Sequence, residues 1–116
     1  MMKLGLSLIA SLLLCAASTL HAQRNLLDIP EVSDAEKICF ALYTVHEATL
    51  KLTAQLYPLD DNAPRDVRLE VKRDGKWKEV AQTKIIEDGW TAPFRVEKWD
   101  NSQDVPYRVL HGEKAK

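Results

Sequence analysis

Residues 89–109, GWTAPFRVEKWDNSQDVPYRV, decide the fold. They hold two of the three tryptophans and two of the five prolines in the 116-residue chain. Two extended runs, Phe94-x-Val96 and Tyr107-x-Val109, flank a polar turn, which predicts adjacent β-strands on one side of a small sandwich. Because Trp90 and Trp99 bracket the first of these runs, we expect both tryptophans to pack at the edge of the core.

Two segments further upstream alternate apolar and polar residues with the period of a strand. In residues 49–57 every second residue is apolar, and Val67, Leu69 and Val71 repeat the pattern. Since alternate residues of a strand point to opposite faces, each segment has one apolar face for a core. We therefore predict that both segments are strands with one face buried.

The second of these strands is followed by a hairpin signal. Asp74-Gly75 between two strand patterns predicts a tight two-residue turn. On the return strand, Trp77 and Val80 are out of phase for one face, so we expect a bulge near Lys78-Glu79.

The pattern of the whole chain is that of an all-β domain. The apolar-rich residues 38–45 predict a buried strand, although the capping-box pattern Ser33-x-x-Glu36 leaves a short helix open as an alternative. Six strands are predicted, at residues 38–45, 49–57, 66–73, 76–86, 92–99 and 106–111. Short strands and frequent turns indicate an immunoglobulin-like or fibronectin III-like sandwich. Such sandwiches have about seven strands, so we expect one that lacks its last strand, through truncation or completion by a partner.

A tyrosine corner is also indicated. Residues 104–109, from Asp104 through Tyr107, resemble the segment in which a tyrosine hydroxyl donates a hydrogen bond to backbone a few residues upstream. We therefore expect Asp104 and Tyr107 to have structural roles.

The N-terminus has the pattern of a secretory signal peptide. The short basic start at residues 1–3, with Lys3, the uncharged residues 4–20 and the small residue Ala22 match its three regions. The apolar run is short for a membrane span, which needs about 20 residues. We predict a cleaved signal at 1–22, a linker at 23–35 and the sandwich at 36–116. The mature protein would be secreted or periplasmic, with no stable membrane span.

Charge and cysteine content narrow the range of partners and chemistry that the sequence predicts. One of the 16 basic side chains lies in the signal, so 15 remain against 17 acidic ones. This balance gives no electrostatic case for binding nucleic acid or an anionic membrane surface. Cys39 is the one cysteine outside the signal, and its apolar neighbours favour a buried, inert thiol over a reactive one.

No residue pattern predicts catalysis. His46 and His111 are far apart and lack metal-ligand spacing, so we expect both to be exposed to solvent. Asp60-Asp61 lacks the ligand spacing of a calcium loop. We predict no catalytic, cofactor-binding or metal-binding residue in this chain, and no cofactor. Trp77, beside the hairpin tip, is the one candidate for a binding surface, with packing over the stem of Lys72 or Arg68 as the alternative.

Four phrases carry a resemblance to a known family. They are ICFALYTVHEATLKLTAQLYPL at 38–59, RDGKWKEVA at 73–81, GWTAPFRVEKWD at 89–100 and DVPYRVLHGEKA at 104–115. The chain resembles, over residues 24–116, the N-terminal β-sandwich region of secreted PhoD-like alkaline phosphatases, the metallophosphoesterases of planctomycete-type bacteria. In that family the region precedes a large catalytic domain whose Asp, His and Asn ligands lie in separate motifs. Those motifs do not occur here, so the resemblance transfers no catalytic or metal-binding residue.

Two hypotheses of function follow. The resemblance implies a non-catalytic accessory domain whose partner is a phosphoesterase catalytic domain outside this chain. The alternative is a stand-alone secreted module that binds glycan or protein through Trp77 or through an open sheet edge. A complete enzyme is disfavoured because no nucleophile, base or ligand set is visible.

Overall fold

The computed structural model describes residues 28–112, and the predicted signal peptide lies outside them. A single 3-10 turn, Asp34–Glu36, precedes six strands. The strands are β1 (Ile38–His46), β2 (Thr49–Leu56), β3 (Asp66–Arg73), β4 (Lys76–Lys84), β5 (Thr91–Val96) and β6 (Tyr107–His111). The all-β prediction is confirmed, and the capping-box segment forms no more than the one 3-10 turn.

The strands form two antiparallel sheets, with strand orders β1-β2-β5 and β4-β3-β6. The prediction that the runs at Phe94 and Tyr107 are adjacent strands is wrong. The first lies in β5, which pairs with β2, whereas the second lies in β6, which pairs with β3. The polar segment between them is long enough to cross the roughly 10 Å that separates packed sheets.

The core lies between the two central strands. The inward faces of β2 and β3 are buried as the alternation predicted: Leu50, Leu52, Ala54 and Leu56 from β2, and Val67, Leu69 and Val71 from β3. Phe94 of β5 is also buried, at 4% exposure, opposite Leu52 in the strand register. Each central strand has a neighbour on both sides within its sheet, and its apolar face packs in one cluster with residues of the other sheet.

The hairpin between β3 and β4 forms as predicted. Asp74 and Gly75 have φ of 52° and 72°, the left-handed values that a two-residue I′ turn requires. The predicted bulge is present, with Val80 as its extra residue, since Glu70 pairs with Glu79 and Leu69 with Ala81. The bulge turns Val80 and Ala81 toward the core.

The hairpin between β1 and β2 uses the same backbone conformation without a glycine. Glu47 and Ala48 have φ of 46° and 55°, and a left-handed conformation costs a residue with a Cβ about 1–2 kcal/mol. We expect Ala48→Gly to raise the free energy of unfolding by about 1 kcal/mol, since glycine removes this penalty but gains entropy in the unfolded chain. Urea denaturation at constant m-value measures the change.

Gly75→Ala is the matched control for this prediction. A Cβ at residue 75 would meet no atom within 4 Å, so the substitution reports on the backbone conformation alone. It should lower the free energy of unfolding by about 1 kcal/mol. A destabilised Ala48→Gly protein would contradict the account of this turn.

Candidate interaction flank

The two flanks of the sandwich differ. On one side, β4 lies against β5 and closes the gap between the sheets. On the other side, β1 and β6 are edge strands, each paired to a single neighbour within residues 28–112. Here the Tyr43 and Tyr107 rings meet edge-on, with centroids 6.1 Å apart and planes at 74°. We call this side the open flank.

A groove of about 340 Å³ runs along the open flank. Its apolar walls come from β1, β2, β6 and the segment that connects the sheets, and its rim is polar. The lining residues are Tyr43, Val45, Leu50, Leu52, Trp99, Val105 and Tyr107, with Asn101, Gln103 and Asp104 at the rim. Three residues to which the sequence assigned structural roles, Trp99, Asp104 and Tyr107, are thus brought together in this groove.

Tyr107 does not form the expected tyrosine corner. Within the described part of the chain its hydroxyl makes no hydrogen bond to upstream backbone, and the side chain is half-exposed. Tyr107 lies at the start of an edge strand, and its ring turns across the open flank toward Tyr43. The ring therefore lines the groove and leaves the corner unformed.

The two tryptophans of residues 89–109 pack at the edge of the core. Trp90 and Trp99 are partly buried and contact the core cluster. The Arg65 guanidinium lies 5.5 Å from the Trp90 ring centroid, and the Arg73 guanidinium lies 5.6 Å from that of Trp99. Both rings thus have an apolar side against the core and a cation on another side.

The first strand is more exposed than its sequence predicted. Phe40, Leu42 and Tyr43 are 54%, 69% and 60% exposed, so the prediction of a buried strand is wrong, although the strand itself is present. The prediction for Cys39 is wrong as well, because the residue is exposed. A run that is apolar on both faces is typical of a strand covered on both faces. β1, however, packs only its inner face against the core, through Ala41 and Val45, and nothing within residues 28–112 covers its outer face.

Trp77 lies on the outer face of the second sheet, 37% exposed. The Arg108 guanidinium lies 4.3 Å from its ring centroid and Lys72 Nζ lies 5.8 Å away. Arg108 therefore occupies a position in which a sugar ring would stack on Trp77. Only part of the Trp77 ring remains accessible to a ligand.

Arg108 also belongs to an ion network that sequence reasoning missed. Arg108 Nη2 lies 2.6 Å from Glu70 Oε2, and Arg68 Nε lies 3.4 Å from Glu70 Oε1. Arg68 Nη1 donates a 2.7 Å hydrogen bond to the Gly112 carbonyl oxygen. Although Arg68 and Glu70 point away from the core, they are only 9% and 7% exposed. The hydrogen bond from Arg108 is the main reason that the pKa of Glu70 lies below its ordinary value of 4.5.

The described residues offer no alternative site of metal chemistry. Within residues 28–112, no three or more His, Cys, Asp or Glu side chains are grouped so that they could hold a metal ion. The same part of the chain contains no helix long and apolar enough to cross a membrane. His46 is exposed as expected, whereas His111 is half-buried and its Nε2 lies 2.6 Å from the Pro64 carbonyl oxygen.

Comparison with known proteins finds no matching family model, no similar curated protein and no similar solved structure. What can be inferred of function therefore comes from the residues themselves.

Proposed function

We propose that this chain is the non-catalytic N-terminal accessory domain of an exported PhoD-like alkaline phosphatase. In this proposal it docks beside the phosphoesterase domain through the open flank between β1 and β6. The observation that carries the proposal is the groove, which leaves Tyr43 and Tyr107 half-exposed where the opposite flank is closed. The sequence resemblance supplies the identity of the docking partner.

The flank has the features that strand addition needs. β6 pairs with β3 on one side only within the described chain, so its outward N–H and C=O groups are available to a further strand. Alternate side chains of such a strand would enter the groove over Leu50 and Leu52. The polar rim at Asn101 and Gln103 offers hydrogen bonds at the border of the interface, an arrangement common in protein–protein contacts.

The contribution of the domain to catalysis would be indirect. The metal ligands and the nucleophile would belong to the catalytic domain, and this sandwich would fix the position of that domain's entrance. Tyr43 and Tyr107 would be buried by such a contact and suit it, because each has a large apolar ring and a hydroxyl that can remain hydrogen-bonded. Substrate chemistry would then depend on the catalytic domain alone.

The gene downstream of the Lys116 codon provides the first test. We expect the reading frame to continue into an alternating apolar segment and then into a long region with Asp-x-His and Asn-His ligand motifs. A stop codon directly after Lys116 would overturn the proposal. The function would then be that of a separate module.

The second candidate function is a stand-alone binding module for glycan or protein, favoured by the exposure of Trp77. Trp77→Ala separates it from the first candidate. Loss of binding on a glycan array with an unchanged unfolding midpoint would favour the module. We expect no change in glycan binding, since Arg108 already lies 4.3 Å from the ring centroid.

A further inference from the structure

The two tyrosines of the open flank form a contact between the sheets. Tyr43 belongs to β1 in one sheet and Tyr107 to β6 in the other. Their ring centroids lie 6.1 Å apart, which is the separation of an ordinary edge-to-face pair. Unlike a pair in the core, however, the two residues are 60% and 42% exposed. The rings are therefore in contact with each other and also accessible to a reagent in solution.

We propose that this pair is a site of oxidative modification, at which Tyr43 and Tyr107 are coupled into a dityrosine cross-link. The co-reactant is a peroxide activated by a haem peroxidase, an oxidant that removes single electrons from exposed phenols. Within residues 28–112 no strand pairing joins β1 to β6. The cross-link would supply a covalent connection between these two edge strands.

The coupling step balances in atoms and electrons. Each phenol loses one electron and its hydroxyl proton, which leaves a radical shared between the oxygen and the ring carbons ortho to it. One carbon–carbon bond then forms between an ortho carbon of Tyr43 and an ortho carbon of Tyr107. The hydrogen on each of these carbons passes as a proton to the phenol oxygen, which restores both phenols. The protein loses two hydrogen atoms in all, and one peroxide molecule is reduced to two molecules of water.

The exposure of the two side chains gives them the freedom that the new bond requires. Exposed side chains change rotamer within picoseconds to nanoseconds, whereas side chains in a close-packed core are held by their neighbours. Tyr43 and Tyr107 already touch, so their ring carbons can meet through rotation of the side chains. Movement of one sheet against the other is not needed.

Tyr57, the third of the chain's three tyrosines, is an internal control. Tyr43 is the register partner of Leu52 in the β1–β2 pair. Tyr57 is five residues beyond Leu52, which corresponds to about 17 Å along an extended chain. It is therefore out of reach of the Tyr43–Tyr107 pair within one molecule.

The cross-link should stabilise the domain. It ties residue 43 to residue 107 and so restricts the unfolded chain over most of the described sequence, as a disulfide across a long loop does. We expect the midpoint temperature of unfolding to rise by more than about 10 °C. The cross-link would also hold together two of the side chains that line the groove.

Peroxidase treatment of the purified chain at low micromolar concentration tests the proposal. All proteins carry Cys39→Ser, because the exposed thiol would compete for the oxidant. We expect a monomer lighter by two hydrogen atoms, with dityrosine fluorescence and one linked peptide pair that contains Tyr43 and Tyr107. Tyr57→Phe should give the same yield, whereas Tyr43→Phe and Tyr107→Phe should abolish the product. Denaturing urea should also abolish it, because coupling depends on the folded pair.

Three results would overturn the proposal. They are a cross-linked monomer that persists in the Tyr43→Phe protein, tyrosine coupling that yields only covalent dimers, and a cross-linked monomer whose midpoint temperature is unchanged. The inference does not rest on the proposed function, because the pair belongs to this chain alone. A docked catalytic domain would cover both rings and slow the coupling, but a chain without such a partner would still form the cross-link.

Discussion

Replacing Phe94 with alanine should lower the free energy of unfolding by about 3–5 kcal/mol. Phe94 is 4% exposed in β5 and belongs to the cluster that fills the space between the sheets. Removing the ring takes away its burial and leaves a cavity that a two-layer core cannot close. Chemical denaturation of the purified domain measures the loss, which is a large part of the 5–15 kcal/mol typical of a folded domain.

The matched control is the other of the chain's two phenylalanines. Phe40 lies in the same sheet but is 54% exposed, so Phe40→Ala should change the free energy of unfolding by less than about 1 kcal/mol. The comparison is made at low micromolar protein concentration. Equal losses for the two variants would contradict the assignment of β5 to the core and β1 to the edge.

The second large effect is expected at Glu70. Glu70→Gln keeps the size of the side chain but removes the charge that Arg68 and Arg108 share. Because Arg68 is almost fully buried beside it, we expect a loss of about 3 kcal/mol in the free energy of unfolding. Glu97→Gln is the control. Glu97 pairs with Arg95 at the surface, where such a substitution changes stability by less than about 1 kcal/mol.

The pH dependence of this effect has a defined sign. The pKa of Glu70 in the folded protein lies below its ordinary value of 4.5, chiefly through the hydrogen bond from Arg108. Its contribution to stability is therefore complete above about pH 4.5 and is lost as the pH falls through the folded-state pKa. The difference between the wild-type protein and Glu70→Gln should narrow below pH 4.5. A constant difference from pH 7 to pH 3 would contradict the ionic role of Glu70.

Local patterns predicted the elements of this fold but not their partners. Alternation located the buried faces of β2 and β3, and Asp74-Gly75 located a hairpin, because both signals depend on residues close in sequence. Local patterns could not predict that β5 and β6 lie in different sheets. Each strand pairs with a strand far away in the chain, and the polar segment between them permits a turn within one sheet or a crossing between sheets.

The same limit applies to the open flank and the ion network. Arg108 meets Glu70 through a strand pair that joins residues 38 positions apart, and nothing in either local sequence indicates that register. The apolar run of β1 indicated a strand covered on both faces, and only its place at the edge makes Phe40, Leu42 and Tyr43 a surface. The sequence assigned structural roles to Trp99, Asp104 and Tyr107, but their meeting in a groove depends on the crossing between the sheets, which no local pattern indicates.

Amide hydrogen exchange along β6 tests the central claim most directly. It is measured on the domain by itself and on the polypeptide that the whole gene encodes. The account predicts that the outward amides of Tyr107–His111 exchange rapidly in the domain alone. In the encoded polypeptide they should be protected at least about 100-fold, as amides of a paired strand are. β4, the other edge of the same sheet, is the internal control and should not change. Unprotected β6 amides in the encoded polypeptide would contradict docking through the open flank.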